Sequence, residues 1–306
     1  MGKYLIHKTV LSIMNIDFVL QRVLRLIACM IFAFLGTVSG ILADQSFSPP
    51  NFTTIPGFDV RLAASPPMVG YPMMACLDDR GRLYVAESDG RNLTTRQAIE
   101  RELPRFVRRL VDLDGDGVFD KSTIFADRMT MPEGGLWHNG ALYIISAPYL
   151  WRLEDVDDDG VADKRDKILG TMEFDGRANQ HGPYLGPNGR LYFSGGHFGY
   201  DLVGKDGTRS GFSRAAGVFS CWPDGSDVQV EGQGGVNPVD IVFTSNGDML
   251  STCAIFDSFG GQRHDALIHW MWGGLTQRVY GSPLLPETGL RLPAVSRWGQ
   301  VAPAGL

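Results

Sequence analysis

The feature that most restricts this chain is a sixteen-residue unit occurring four times: MMACLDDRGRLYVAES from Met73, PEGGLWHNGALYIISA from Pro132, HGPYLGPNGRLYFSGG from His181 and VDIVFTSNGDMLSTCA from Val239. Its fifth position is Leu77, Leu136, Leu185 or Phe243, its ninth Gly81, Gly140, Gly189 or Gly247, and its eleventh Leu83, Leu142, Leu191 or Met249. The glycine follows Arg80, Asn139, Asn188 or Asn246. Asn-Gly between alternating apolar residues specifies a β-hairpin, because both residues tolerate positive φ. The copies begin 59, 49 and 58 residues apart, a spacing that suits propeller blades of four strands. The expected fold is therefore an all-β propeller, with a β-sandwich as the alternative.

Closed propellers with repeats this long usually have about six to eight blades, so the chain reads as an incomplete one, with four to five blades present. From Trp270 onward the sequence is aromatic and broken by Gly and Pro, which suits a connector into a fifth blade. The one helix candidate after residue 43 is Thr94–Leu103, capped by Asn92 or Thr94, and it reads as a loop insertion in the first blade.

Two acidic stretches lie between the hairpins, DLDGDGVFDK at 112–121 and DVDDDGVADK at 155–164. Each places carboxylates at loop positions 1, 3, 5 and 9 and glycine at position 6: Asp112, Asp114, Asp116, Asp120 with Gly117, and Asp155, Asp157, Asp159, Asp163 with Gly160. Alternate spacing converges oxygens on one point, and the glycine permits the sharp turn that calcium, a hard cation with many oxygen ligands, requires. The position-seven ligand would be the backbone carbonyl of Val118 or Val161. The final ligand of a helix-flanked hand would fall at Thr123 or Asp166, and without helices at either side the expectation is a short calcium loop between strands. The alternative is a solvated acidic turn.

The N-terminal segment carries Lys3, Lys8, Arg22 and Arg25 against Asp17, then an apolar run from Leu26 to Val38 and small residues to Ala43. That is the layout of a secretory signal, with Met14 as an alternative start and cleavage expected after Ala43. An uncleaved anchor is the alternative, since Leu26–Leu42 sits at the lower limit for spanning a bilayer. Residues 1–43 are thus read as signal or anchor and 44–306 as a partial propeller domain that is periplasmic or secreted. Membrane contact would run only through the N-terminal segment. The net charge of the whole chain is −6, so the body beyond the basic leader is acidic, which argues against a nucleic-acid partner. Cys76, Cys221 and Cys253 remain after the leader, with no Cys-x-x-Cys, so they specify neither a disulfide framework nor a haem site. Cys76 and Cys253 fall in strand-like runs and read as packing thiols.

His181 opens the third hairpin, where a strand start would lie at the mouth of a propeller channel. Imidazole there can take a proton from a hydroxyl, although a lone histidine at a strand start is also an ordinary surface or hydrogen-bonded residue. QHGPYLGPNGRLYFSGGHFG resembles the histidine signature of the soluble quinoprotein glucose and aldose-sugar dehydrogenases. The stretch from PGFDVRLAASPPMVGYPMMACLDDRGRLYVAE to LPAVSRWGQVAPAGL resembles the N-terminal propeller of the membrane-bound dehydrogenase family of planctomycete-type bacteria.

That resemblance implies a six-bladed, TolB-like propeller, a sugar or alcohol substrate, pyrroloquinoline quinone as cofactor and a cytochrome-type electron acceptor. It implies that His181 is the catalytic base. GVNPVDIVFTSNGDML resembles the next signature, whose Arg-Asn-Pro contacts the quinone. Asn237 and Pro238 match it, and Val236 stands in the arginine position. His197, Glu87 and Asp89 are further channel candidates by position. The competing readings are a non-catalytic, calcium-stabilised propeller binding a carbohydrate or protein partner, and a calcium-dependent lactonase-like hydrolase, which would need metal-ligating carboxylates inside the channel.

Overall fold

The structure is a computed structural model that describes residues 50, 52–175, 180–256, 261–276 and 281–303. The signal or anchor segment lies outside the described residues. Among the described residues no helix is long and apolar enough to cross a membrane.

The described chain forms four antiparallel blades of a β-propeller. The first contains β1 (Tyr71–Leu77), β2 (Leu83–Ser88), β3 (Arg105–Val111) and β4 (Lys121–Met129) in sequential order. A short helix, α1 (Arg96–Glu102), interrupts the link from β2 to β3, as the insertion was expected to do. Its cap is Thr95 rather than Asn92 or Thr94, because the Thr95 hydroxyl accepts the Ala98 N–H at 3.3 Å.

The second blade contains β5 (Leu136–His138), β6 (Ala141–Ser146), β7 (Tyr149–Glu154) and β8 (Lys164–Met172). The third starts with β9 (Gln180–Leu185) and β10 (Leu191–Gly195). The chain then returns as β11 (Tyr200–Gly204) to pair with β8 as a fifth strand of the second sheet, before β12 (Gly217–Cys221) and β13 (Gln229–Gln233) complete the third.

The fourth blade contains β14 (Pro238–Phe243), β15 (Met249–Phe256) and β16 (Arg263–Trp270). The sequence after Trp270 was expected to lead into a fifth blade, but its described strands complete sheets already begun. There β17 (Gly274–Leu275) adds in parallel to β13, and β18 (Ser296–Trp298) adds to β16. Strand pairings between segments distant in sequence, unlike hairpins, leave no local periodicity to read.

Each repeat is an inner hairpin: β1–β2, β5–β6, β9–β10 and β14–β15. Three close alike, with Gly81, Gly189 and Gly247 N–H donating to the carbonyls of Asp78, Gly186 and Thr244 at 3.2, 3.0 and 2.9 Å. Their glycines sit at φ +76°, +82° and +88°. Only the second hairpin has two consecutive positive-φ residues, Asn139 at +48° and Gly140 at +76°. The residue before the glycine therefore takes positive φ in one turn of four, and glycine carries that requirement in the others.

Both faces of the inner blades are buried, and alternation divides their side chains between neighbours. Ala141, Tyr143 and Ile145 of β6 pack with Leu191, Phe193 and Phe219 of the third blade. Leu142 and Ile144 face Tyr84, Val107 and Phe125 of the first. In β10, Tyr192 turns the other way, to Ile241 and Met249 of the fourth blade. Three inter-blade cores result, each buried large side chain contributing about 1.5–3 kcal/mol relative to exposure.

Candidate functional site

His181 is placed by packing on both sides. Towards the second blade, Gly134 at φ +135° approaches so closely that a Cβ there would lie 2.2 Å from the Gly182 carbonyl oxygen. Towards the fourth, His181 pairs with Ser194, whose hydroxyl donates to the Pro238 carbonyl at 2.6 Å. That bond brings the Asn237-Pro238 dipeptide beside the histidine. Gln180 anchors the strand start by donating from Nε2 to the Glu173 carbonyl at 2.6 Å.

The result is a cavity of about 190 Å³ lined by His181, Asn237, Val239, Cys253, Ala254, Arg263, Asp265, Ala302 and Pro303. His181 Nε2 and Asn237 Oδ1 are buried and have no hydrogen-bond partner meeting ordinary geometry. Burial holds the imidazole below its ordinary value of 6.5, against the opposing pull of the Asp240 carboxylate and the Asn237 side chain. A histidine kept neutral by burial therefore sits, beside Asn237, in the wall of a small cavity of mixed polar and apolar lining.

Arg263 and Asp265, which the sequence reading did not select, form the opposite wall. Asp265 Oδ2 accepts the N–H groups of Val301 and Ala302, both at 2.7 Å, and Oδ1 accepts Arg263 Nη2 at 3.2 Å. Burial would raise the Asp265 carboxyl, but these backbone and guanidinium bonds outweigh it and keep the group below its ordinary value. The available signal was Arg-His-Asp at the head of an otherwise apolar strand. Its partners, Val301 and Ala302, are remote in sequence.

Other candidates are engaged elsewhere. Pro238 contributes its carbonyl to Ser194 and is absent from the cavity lining. Glu87 is buried on Arg108 Nε at 2.5 Å and the Gly70 N–H at 2.6 Å. Asp89 pairs with Arg91, and the His197 ring lies tilted against Phe198, with centroids 5.0 Å apart. Val236 is tied to β15 through its N–H to the Ala254 carbonyl, 2.9 Å.

The two Asp loops connect β3 to β4 and β7 to β8, so they share the face of the hairpin turns, opposite the strand starts that form the cavity. Both are flanked by strands, as expected, and Thr123 and Asp166 lie within β4 and β8. Among the described residues, groups of three metal-ligating side chains occur in these loops, at Asp112, Asp114 and Asp116 and at Asp155, Asp157 and Asp159. The channel carboxylate set a lactonase-like hydrolase would need is not found among the described residues.

Solved structures with a similar course are β-propellers. The PQQ-bound aldose sugar dehydrogenase of Streptomyces coelicolor superposes with a TM-score of 0.50 at 16% identity, over 78% of this chain and 71% of that one. The Trichoderma reesei carbohydrate-active enzyme of family AA12 gives 0.47 at 14% identity, over 70% and 56%. The PQQ domain of Coprinopsis cinerea pyranose dehydrogenase gives 0.45 at 14%, over 66% and 51%. This chain thus spans little more than half the length of the last two. At these identities the likeness concerns the fold. No curated protein matches the chain in sequence. A family model described as a domain of unknown function, DUF7133, matches residues 45–259, and the chain belongs to that family.

Proposed function

We propose that the His181 cavity receives a hydroxyl group of a sugar or alcohol, in an exported propeller of the quinoprotein-dehydrogenase type. The observation that carries this is a pair of buried polar atoms at one cavity, His181 Nε2 and Asn237 Oδ1, which interact with each other without forming a hydrogen bond of ordinary geometry. Both can accept a hydrogen bond, and a ligand O–H supplies the missing donor. Arg263 at the far wall adds a donor to ligand oxygens, while Asp265 holds its guanidinium. The N-terminal layout of a secretory signal supports an exported, periplasmic or secreted location.

A dehydrogenase, as the likeness to the membrane-bound dehydrogenases of planctomycete-type bacteria suggests, is the second reading, and it is favoured by the state of the histidine. An imidazole kept neutral by burial is ready to take the hydroxyl proton, and Asp240 stabilises the imidazolium that forms. The cofactor is a separate matter. Pyrroloquinoline quinone is a tricarboxylate, and the cavity offers one guanidinium, already paired with Asp265. Val236 adds no charge, and Asp240 adds a further negative one near His181. This donor set does not fit that quinone, so any hydride acceptor would have to be one of lower negative charge.

The test is calorimetric titration of aldoses, polyols and simple alcohols into the full chain and into its His181→Ala and Asn237→Ala forms. Dye-linked oxidation is assayed in parallel with and without added quinone. Saturable binding that weakens about tenfold or more in both variants, one strong hydrogen bond each, supports the site. A panel that binds nowhere, or binds all three proteins alike, refutes it. Quinone-dependent turnover lost in the His181 variant would establish the second reading and overturn the cofactor misfit.

A further inference from the structure

On the face away from His181, we propose that the loop between β7 and β8 is a calcium site with Asp155, Asp157 and Asp159 as carboxylate ligands, and that it fastens the second blade to the first. One oxygen from each of the three carboxylates lies within 4.8 Å of the others. Spacing and proximity alone would describe any acidic turn. The second observation is Asp155 itself, whose side chain is only 4% exposed. Its Oδ2 accepts Arg109 Nη1 and the Gly160 N–H, each at 2.9 Å, whereas its Oδ1 is buried and has no hydrogen-bond partner.

The companion loop supplies the comparison. There the corresponding atom, Asp112 Oδ1, accepts the Gly115 N–H at 2.7 Å, inside the turn, and Oδ2 accepts that of Gly117 at 2.9 Å. The 155–160 loop repeats the Oδ2 contact, on the Gly160 N–H, but the counterpart of the Gly115 bond is missing and Asp155 Oδ1 accepts no hydrogen bond. A buried carboxyl oxygen without a hydrogen-bond partner is costly, and a cation in the loop would complete it. The 112–120 loop has the spacing but no such oxygen, and the proposal does not extend to it.

The arginines of the first blade engage only part of the loop's carboxylates. Arg109 faces Asp155, and Arg80 and Arg82 from the β1–β2 turn hold Asp158. Among the described residues no cation pairs with Asp157 or Asp159, which are exposed on the loop. The loop backbone is set for ligation, with Asp163 Oδ2 accepting the Val156 N–H at 2.7 Å and Asp159 Oδ1 that of Val161 at 2.8 Å. An all-oxygen set on an irregular loop suits calcium, which tolerates flexible geometry, better than magnesium, which demands a near-octahedral one. Because Arg109 belongs to β3, a metal that fixes Asp155 also fixes the contact between blades.

The test is calcium chloride titrated into chelator-treated full chain by calorimetry, with thermal unfolding followed in parallel and the Asp157→Asn/Asp159→Asn double variant as comparison. Both side chains are exposed, and circular dichroism of the metal-free variant checks that its fold is kept. Expected are saturable binding, a calcium-dependent rise in Tm, and binding at this site weakened at least about tenfold in the variant. An Asp112→Asn/Asp114→Asn form should retain the site. Failure of the wild type to bind, or binding and a Tm rise that the Asp157/Asp159 variant leaves unchanged, overturns the proposal. Neither outcome bears on the hydroxyl site, which lies at the other end of the strands.

Discussion

Gly134→Ala should displace the candidate site without touching it. At φ +135° an L side chain is strained, at a cost of about 1–2 kcal/mol. The new Cβ would also lie 2.2 Å from the oxygen and 2.6 Å from the nitrogen of Gly182. Those atoms are backbone and cannot rotate away, so the overlap adds about 1–3 kcal/mol. The total is about 2–5 kcal/mol. Gly140→Ala is the control, since it has φ +76° and nothing within 4 Å of the added Cβ, leaving only the conformational cost. For a domain of this size each kcal/mol shifts Tm by about 2–4 °C. Gly134→Ala should therefore melt about 2–12 °C below Gly140→Ala, and should weaken any sugar binding because the strand that carries His181 is pushed. Equal melting of the two variants, with binding intact in both, would refute the claim that the backbone contact of Gly134, just ahead of β5, with Gly182 of β9 positions the histidine.

Other consequences concern charge and burial. His181 has a folded value below 6.5, so the unfolded chain binds its proton more readily; its contribution should make stability rise with pH below about 6.5 and level off above it. A His181→Gln form should lose that part of the slope in urea unfolding across pH 5–8, and an unchanged slope would contradict the assignment. Arg109→Ala strands the buried Asp155 and should cost about 3–5 kcal/mol in chelator, with Asp155→Asn recovering part of it; a loss under about 1 kcal/mol would show that the inter-blade pair is slack. Burial pushes the Cys221 and Cys253 thiols up to about 12, so neither should react with iodoacetamide at pH 8 in the native protein, and rapid labelling would mean that the blade interiors open readily.

The hairpins were legible because turn glycines and alternating apolar residues are local, and their return at blade spacing identified the inner strands. The Asp loops were legible for the same reason. His181 and Asn237 were found by resemblance, and their proximity follows from the Ser194 bond to Pro238, which no local pattern announces. Arg263 and Asp265 escaped notice because what makes Asp265 a wall residue, its bonds to Val301 and Ala302, joins positions far apart in the chain. The crossover of β11 to the second sheet and the parallel pairing of β17 with β13 were hidden likewise. Arg109 carries no local signal in the sequence, and only the packing of two blades makes it the partner of Asp155.

The central claim is that a neutral imidazole waits at a cavity for a hydroxyl donor. Nitrogen-15 NMR of histidine-labelled full chain tests it most directly, with His181 identified by its loss in the Gln variant and spectra taken from pH 8 to pH 5 with and without a binding sugar. The account predicts an imidazole that titrates below 6.5 and a shift of its Nε2 resonance when sugar is added. An imidazole that titrates at or above 6.5, or one whose resonances ignore every ligand of the panel, would contradict it.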